Sequence, residues 1–143
     1  MEPGKNPAIQ TSWIVWGAML TSVFLYGVVA RIITAQGALP DMDVPAYPVL
    51  RIVFMTLGAA LLFAAPAVGR KLEALPSVRA ANPDPARQRL AAAMVSWAMA
   101  EAVGVFGLVL YFLGREPWVL YVFLGASAVG LVALRPDSRQ YQG

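Results

Sequence analysis

The chain has 143 residues, of which 59% are hydrophobic and only 13% charged, with a formal net charge of +3. Soluble domains carry about a quarter charged residues, so this balance points to lipid as the solvent and to an all-α membrane protein. Neither Cys nor His occurs, which removes disulfides, thiolate chemistry, Cys/His zinc sites, iron–sulfur ligation and bis-His haem, so no cofactor and no metal site is expected.

Residues 1–12 are polar, with two prolines and a glycine, and read as a short tail in which Ser12 is placed to cap a helix. The first apolar run, near 13–34, starts at Trp13 and Trp16 and ends beside Arg31. From Trp13 to Ala30 it is longer than a signal-peptide core and lacks a small-x-small cleavage pattern, so it is expected to be retained as a helix. The stretch 35–48 has three prolines, Asp41 and Asp43, and reads as a loop. A second helix near 49–69 enters at Arg51 and carries Pro66 near its exit, where a kink of the last turn is expected.

Residues 70–89 are the most basic stretch, with five cations, two acids and three prolines, and the loop proper is expected at 70–87. A third helix near 88–113 contains the apolar run Leu90 to Leu113, 24 residues that are long enough to cross a bilayer. Gly114 to Pro117 forms a tight turn, with Pro117 at the first position of a fourth helix near 117–134. Such a turn leaves no slack, so the fourth helix should pack antiparallel on the third. The sum is one integral-membrane domain over 1–143, four transmembrane helices in two hairpins.

With four spans, the two tails and the basic loop share a side that holds eight of the eleven Lys and Arg residues. This asymmetry places both termini in the cytoplasm, with the protein a multi-pass component of a membrane, expected to be the bacterial inner (cytoplasmic) membrane.

Glu101 sits at the centre of the third apolar run. An uncompensated carboxylate there costs several kcal/mol, so it is expected to be protonated and to share a hydrogen bond with a facing helix. Candidate partners at its depth are Thr21 and Ser22 on the first helix, Thr56 on the second and Ser127 on the fourth. Arg31, Arg51 and Arg115 lie toward one interface, so no salt bridge is expected. Two roles compete: a carboxyl that binds and releases a proton, and a neutral carboxyl that only pins packing. Beside it runs a small-residue stripe at spacing four, Ala92, Ser96, Ala100 and Gly104, suited to close helix approach, and Gly17/Thr21 form a similar pair. A shift of 80 residues aligns the first helix on the third, and a shift of 67 sets Leu57-Gly58-Ala59 on Leu124-Gly125-Ala126, as a duplicated hairpin would.

The phrase AMAEAVGVFGLVLYFL, with GRKLEAL before it and Ala86-Arg87-Gln88 in the basic loop, resembles the hairpin of subunit c, the proteolipid of rotary ATP synthases. The resemblance covers about residues 57–113 and implies Glu101 as an ion-binding carboxyl. Sodium-binding members pair that carboxyl with a following Ser or Thr and a Gln on the facing helix. Ala102 and a second helix without Gln imply protons instead.

One intramembrane acid without His, Cys or a second catalytic carboxyl leaves no nucleophile–base pair, so no enzymatic activity is expected. The function expected is that of a small structural or accessory subunit of a larger membrane complex, with a proteolipid-like proton-handling subunit as the alternative. Its expected partners are the lipid bilayer and other membrane subunits or further copies of itself, not nucleic acid.

Overall fold

A computed structural model describes residues 7–37, 44–81 and 84–136, and among these every regular element is helical. They form α1 (Pro7–Ala35), α2 (Tyr47–Ala74), α3 (Pro76–Ala81), α4 (Pro85–Gly114) and α5 (Pro117–Ala133). Helices α1, α2 and α4 are long and apolar enough to cross a membrane, and α5 is an apolar helix of 17 residues.

The long helices outrun their apolar runs. Helix α1 starts at Pro7 rather than near residue 13, so Ser12 is not a cap: it lies inside the helix, buried, and donates to Ile9 O at 2.7 Å. Helix α2 passes through Pro66 and continues two turns to Ala74, where Leu75 N donates to Leu72 O. The expected loop 70–87 is therefore partly helical, because α3 and the first turn of α4 also fall inside it. Asp84 caps α4 by accepting from Ala86 N at 2.9 Å, and Pro85 takes the first helical position, where no N–H is needed. Hydrophobicity marks where the apolar run begins; α4 itself begins earlier, at its Asp84 cap. Asp41 and Asp43 lie outside the described residues.

Helix α4 is the hub. It packs on α1, α2 and α5, whereas α1 and α2 flank it and share no substantial interface. The expected first hairpin is thus not a packed pair. The connection 36–46 has eleven residues, long enough when extended to carry the chain across α4. The second hairpin is tight. Arg115 closes α4 in the left-handed conformation (φ 53°, ψ 25°) with its N–H on Tyr111 O at 2.8 Å, and Pro117 opens α5 two residues later. Gly114 serves a different need, since a Cβ there would overlap the ring of Tyr47.

Close approach sets the directions. Gly107 meets Phe123, Gly104 meets Ser127 and Ala100 meets Gly130, so α4 and α5 run antiparallel. Gly58 meets Val103 and Gly69 meets Ser96, so α2 also runs against α4. Ala8 packs with Ala86 and Ala30 with Tyr111, so α1 runs parallel to α4. Ala92, Ser96, Ala100 and Gly104 are all buried along this hub. Gly17 has no atom within 4 Å of where a Cβ would stand, and Thr21 is exposed, so that small pair faces away from the bundle.

The outer faces are apolar. Ile14, Phe24, Ile52, Phe63 and Val129 are all more than half exposed. Apolar side chains on this scale around a bundle are solvated by hydrocarbon, not water.

Candidate functional site

The polar groups of the bundle interior gather at the middle of α4. Ser22 and Tyr26 stand four residues apart on α1 and so share the face that meets α4. Tyr26 OH donates to Glu101 Oε1 at 2.8 Å, and Ser22 Oγ is hydrogen-bonded to the same oxygen. The Glu101 side chain is half-buried. Neither ion pair found among the described residues involves it, since these join Arg51 to Glu116 and Arg87 to Asp84.

The hydroxyl contacts are compatible with a neutral acid. Ser22 has one hydroxyl hydrogen, yet its Oγ is bonded both to Glu101 Oε1 and to Met19 O, the latter at 2.7 Å. One hydrogen serves two acceptors only as a shared, three-centre bond. Ser22 Oγ donates to Glu101 Oε1; a protonated carboxyl would let the same contact run the other way, with Oε1 donating to Ser22 Oγ. Ser22 then donates to Met19 O, and Tyr26 donates to a lone pair of Oε1. A neutral carboxyl with both hydroxyls satisfied also avoids the cost of a bare charge in hydrocarbon.

The other hydroxyls at this depth go elsewhere. Thr21 donates to Gly17 O at 2.8 Å and Thr56 to Ile52 O at 2.9 Å, each within its own helix on an exposed face. Back-bonding of this kind satisfies a hydroxyl that has no partner in lipid. Ser127 donates to Ala100 O at 2.7 Å, next to Glu101 but not to its carboxyl. Ser96 donates to Ala65 O at 2.9 Å and ties α2 to the same stretch of α4.

Tyr26 was not among the candidates read from sequence. Tyrosines in membrane helices favour the interfaces, and only its spacing of four from Ser22 pointed to Glu101. Two tryptophans have roles the sequence did not suggest. Trp16 Nε1 donates to Leu131 O at 2.8 Å and Trp97 Nε1 to Leu134 O at 2.7 Å. The last carbonyls of any helix lack intrahelical donors, and here indoles from α1 and α4 supply them to the last turn of α5 and to the residue just past it. Trp97 is buried in the core with Val23, Ala100 and Leu131.

Chemically, the cluster can hold one proton among a carboxyl and two hydroxyls. Among the described residues no group of three or more His, Cys, Asp or Glu side chains could hold a metal ion.

Replacing Glu101 separates charge from shape. Glu101→Gln keeps a neutral planar group with a donor and an acceptor, and should leave thermal stability in detergent nearly unchanged. Glu101→Ala leaves Tyr26 and Ser22 without that partner, and should cost about 1–2 kcal/mol. Equal losses in both variants would show that the wild-type carboxyl is held as an anion.

In comparisons with known proteins, no family model, no curated protein and no solved structure matches the chain.

Proposed function

We infer that the chain is a structural, accessory subunit of a larger membrane complex: a four-span bundle with no chemistry of its own. The observation that carries this reading is the commitment of Glu101 to Ser22 and Tyr26 inside its own bundle. A carboxyl held by two hydroxyls on a neighbouring helix has the geometry of a packing tie. The broad apolar faces of α1, α2 and α5 suit contact with lipid and with other membrane helices. The inner (cytoplasmic) membrane of a bacterium is the proposed location.

In this reading α5 is the fourth span. At about 1.5 Å per residue its 17 residues reach about 25 Å, somewhat short of a hydrocarbon core of about 30 Å. Local thinning and the flanking Glu116 and Arg135 accommodate the difference. The termini and the segment between α2 and α4 then share the cytoplasmic side. Single cysteines placed at positions 5, 80 and 140 should react with a membrane-impermeant maleimide from one common side. Reaction of position 80 from the side opposite to position 5 would exclude four spans.

The proteolipid-like alternative, with Glu101 as a proton carrier, is favoured by one observation. The carboxyl is only half-buried, and it neighbours the outward face of α4, where Ala98 and Val105 are exposed. Dicyclohexylcarbodiimide distinguishes the two readings, because it modifies protonated membrane carboxyls that lipid can reach. For a packing tie, Glu101 stays unmodified at every pH. Modification that weakens as pH rises would replace the structural reading with the proton-carrying one.

A further inference from the structure

The end of the bundle where α2 and α5 finish holds a cavity of about 600 Å³, lying between α2, α4 and the residues that follow α5. Three guanidinium groups line it: Arg70 from the last turns of α2, Arg89 from the second turn of α4, and Arg135 just past α5. One acid, Glu73, shares the wall, so the lining carries three cations against one anion. Arg70 Nε donates to Pro66 O at 3.3 Å, which turns the side chain back along its own helix toward the cavity. Arg89 is half-buried, and neither it nor Arg135 has a carboxylate at ion-pair distance among the described residues. Below the arginines the cavity is closed by Trp97, whose indole N–H is already bonded to Leu134 O, and by Ser96, whose hydroxyl is bonded to Ala65 O. The floor therefore offers little free hydrogen bonding, while the mouth offers a surplus of it.

We propose that this cavity binds the phosphate of an anionic phospholipid headgroup. Guanidinium groups bind phosphate oxygens in a bidentate fashion, and basic pockets between membrane helices at the cation-rich end recruit anionic lipids. Three guanidinium groups from three parts of the bundle share the lining with one carboxylate, which leaves a net positive charge that favours an anion. A phosphate diester answers it at the depth where lipid headgroups lie. The apolar floor accommodates the glycerol and the start of an acyl chain rather than a fully hydrated ion.

The test uses the full chain, delipidated in mild detergent and analysed by native mass spectrometry after addition of phosphatidylglycerol, phosphatidylcholine or inorganic phosphate. Wild type should retain phosphatidylglycerol at least roughly tenfold better than phosphatidylcholine. Arg89→Gln with Arg135→Gln should abolish most of that preference, Arg89→Lys with Arg135→Lys should keep the larger part, and Arg31→Gln on α1 at the opposite end should change nothing. Should the double Gln variant lose its helical circular dichroism, Arg135→Gln alone, at an exposed position, gives the same comparison. Equal retention of the two lipids, or a preference untouched by loss of the arginines in a folded variant, would overturn the proposal. Displacement of the lipid by millimolar inorganic phosphate would also overturn it, by making the cavity a free-anion site.

Discussion

Between Ser96 and Glu101, about a turn and a half of α4, the helix is hydrogen-bonded to each of the other long helices. Ser96 donates to Ala65 O of α2, Trp97 donates to Leu134 O past α5, and Ala100 O accepts from Ser127 of α5. Glu101 takes Tyr26 and Ser22 of α1. Water cannot drive helix association inside lipid, because the tails are as apolar as the side chains they would shed. Association then rests on close packing and on polar groups that have no good alternative partner. Placing these ties on consecutive turns of one central helix fixes the axial position of all its neighbours together.

The small residues of α4 make those ties reachable. A serine hydroxyl bonds a carbonyl on a neighbouring helix only when the backbones come close. Ser96 stands where a Cβ on Gly69 would lie 2.5 Å from its Oγ, and Ser127 stands against Gly104. Toward the end where α4 turns into α5, packing replaces polarity. Val103, Leu110, Val119 and Phe123 form one core cluster there, with Phe54 stacked on Phe106 at 5.0 Å. Arg51 closes that end through Glu116 at 3.1 Å and lies near the rings of Tyr47 and Trp118. The opposite end keeps its arginines around an open cavity, so the two ends of the bundle differ in how their cations are used.

Much of this was legible in the sequence. Four apolar runs located the long helices, the turn at 114–117 set α5 on α4, and the mid-span carboxyl marked where polar partners gather, with Ser22 one of four candidates on three helices. What was not legible has physical causes. Apolar runs report the hydrocarbon slab and stop short of the polar ends of α1, α2 and α4; among the described residues only the start of α4 carries a side-chain cap, Asp84. Thr21 and Thr56 could not be separated from Ser22 by depth alone, because helix rotation decides which hydroxyl faces inward. The indoles of Trp16 and Trp97 act on carbonyls in and just past α5, more than a hundred and more than thirty residues away in sequence, and no local pattern encodes such a pairing. The separation of α1 from α2 depends on a connection long enough to permit either arrangement.

The central claim is that the carboxyl of Glu101 holds α1 on α4. A double-mutant cycle on Glu101→Ala and Tyr26→Phe, with unfolding free energies measured in bicelles by steric trapping, isolates that tie from the packing around it. The account predicts a favourable coupling of about 0.6 kcal/mol or more, up to about 1.7 kcal/mol, the range found for hydrogen bonds between membrane helices. A coupling of zero, with the two losses simply adding, would contradict it.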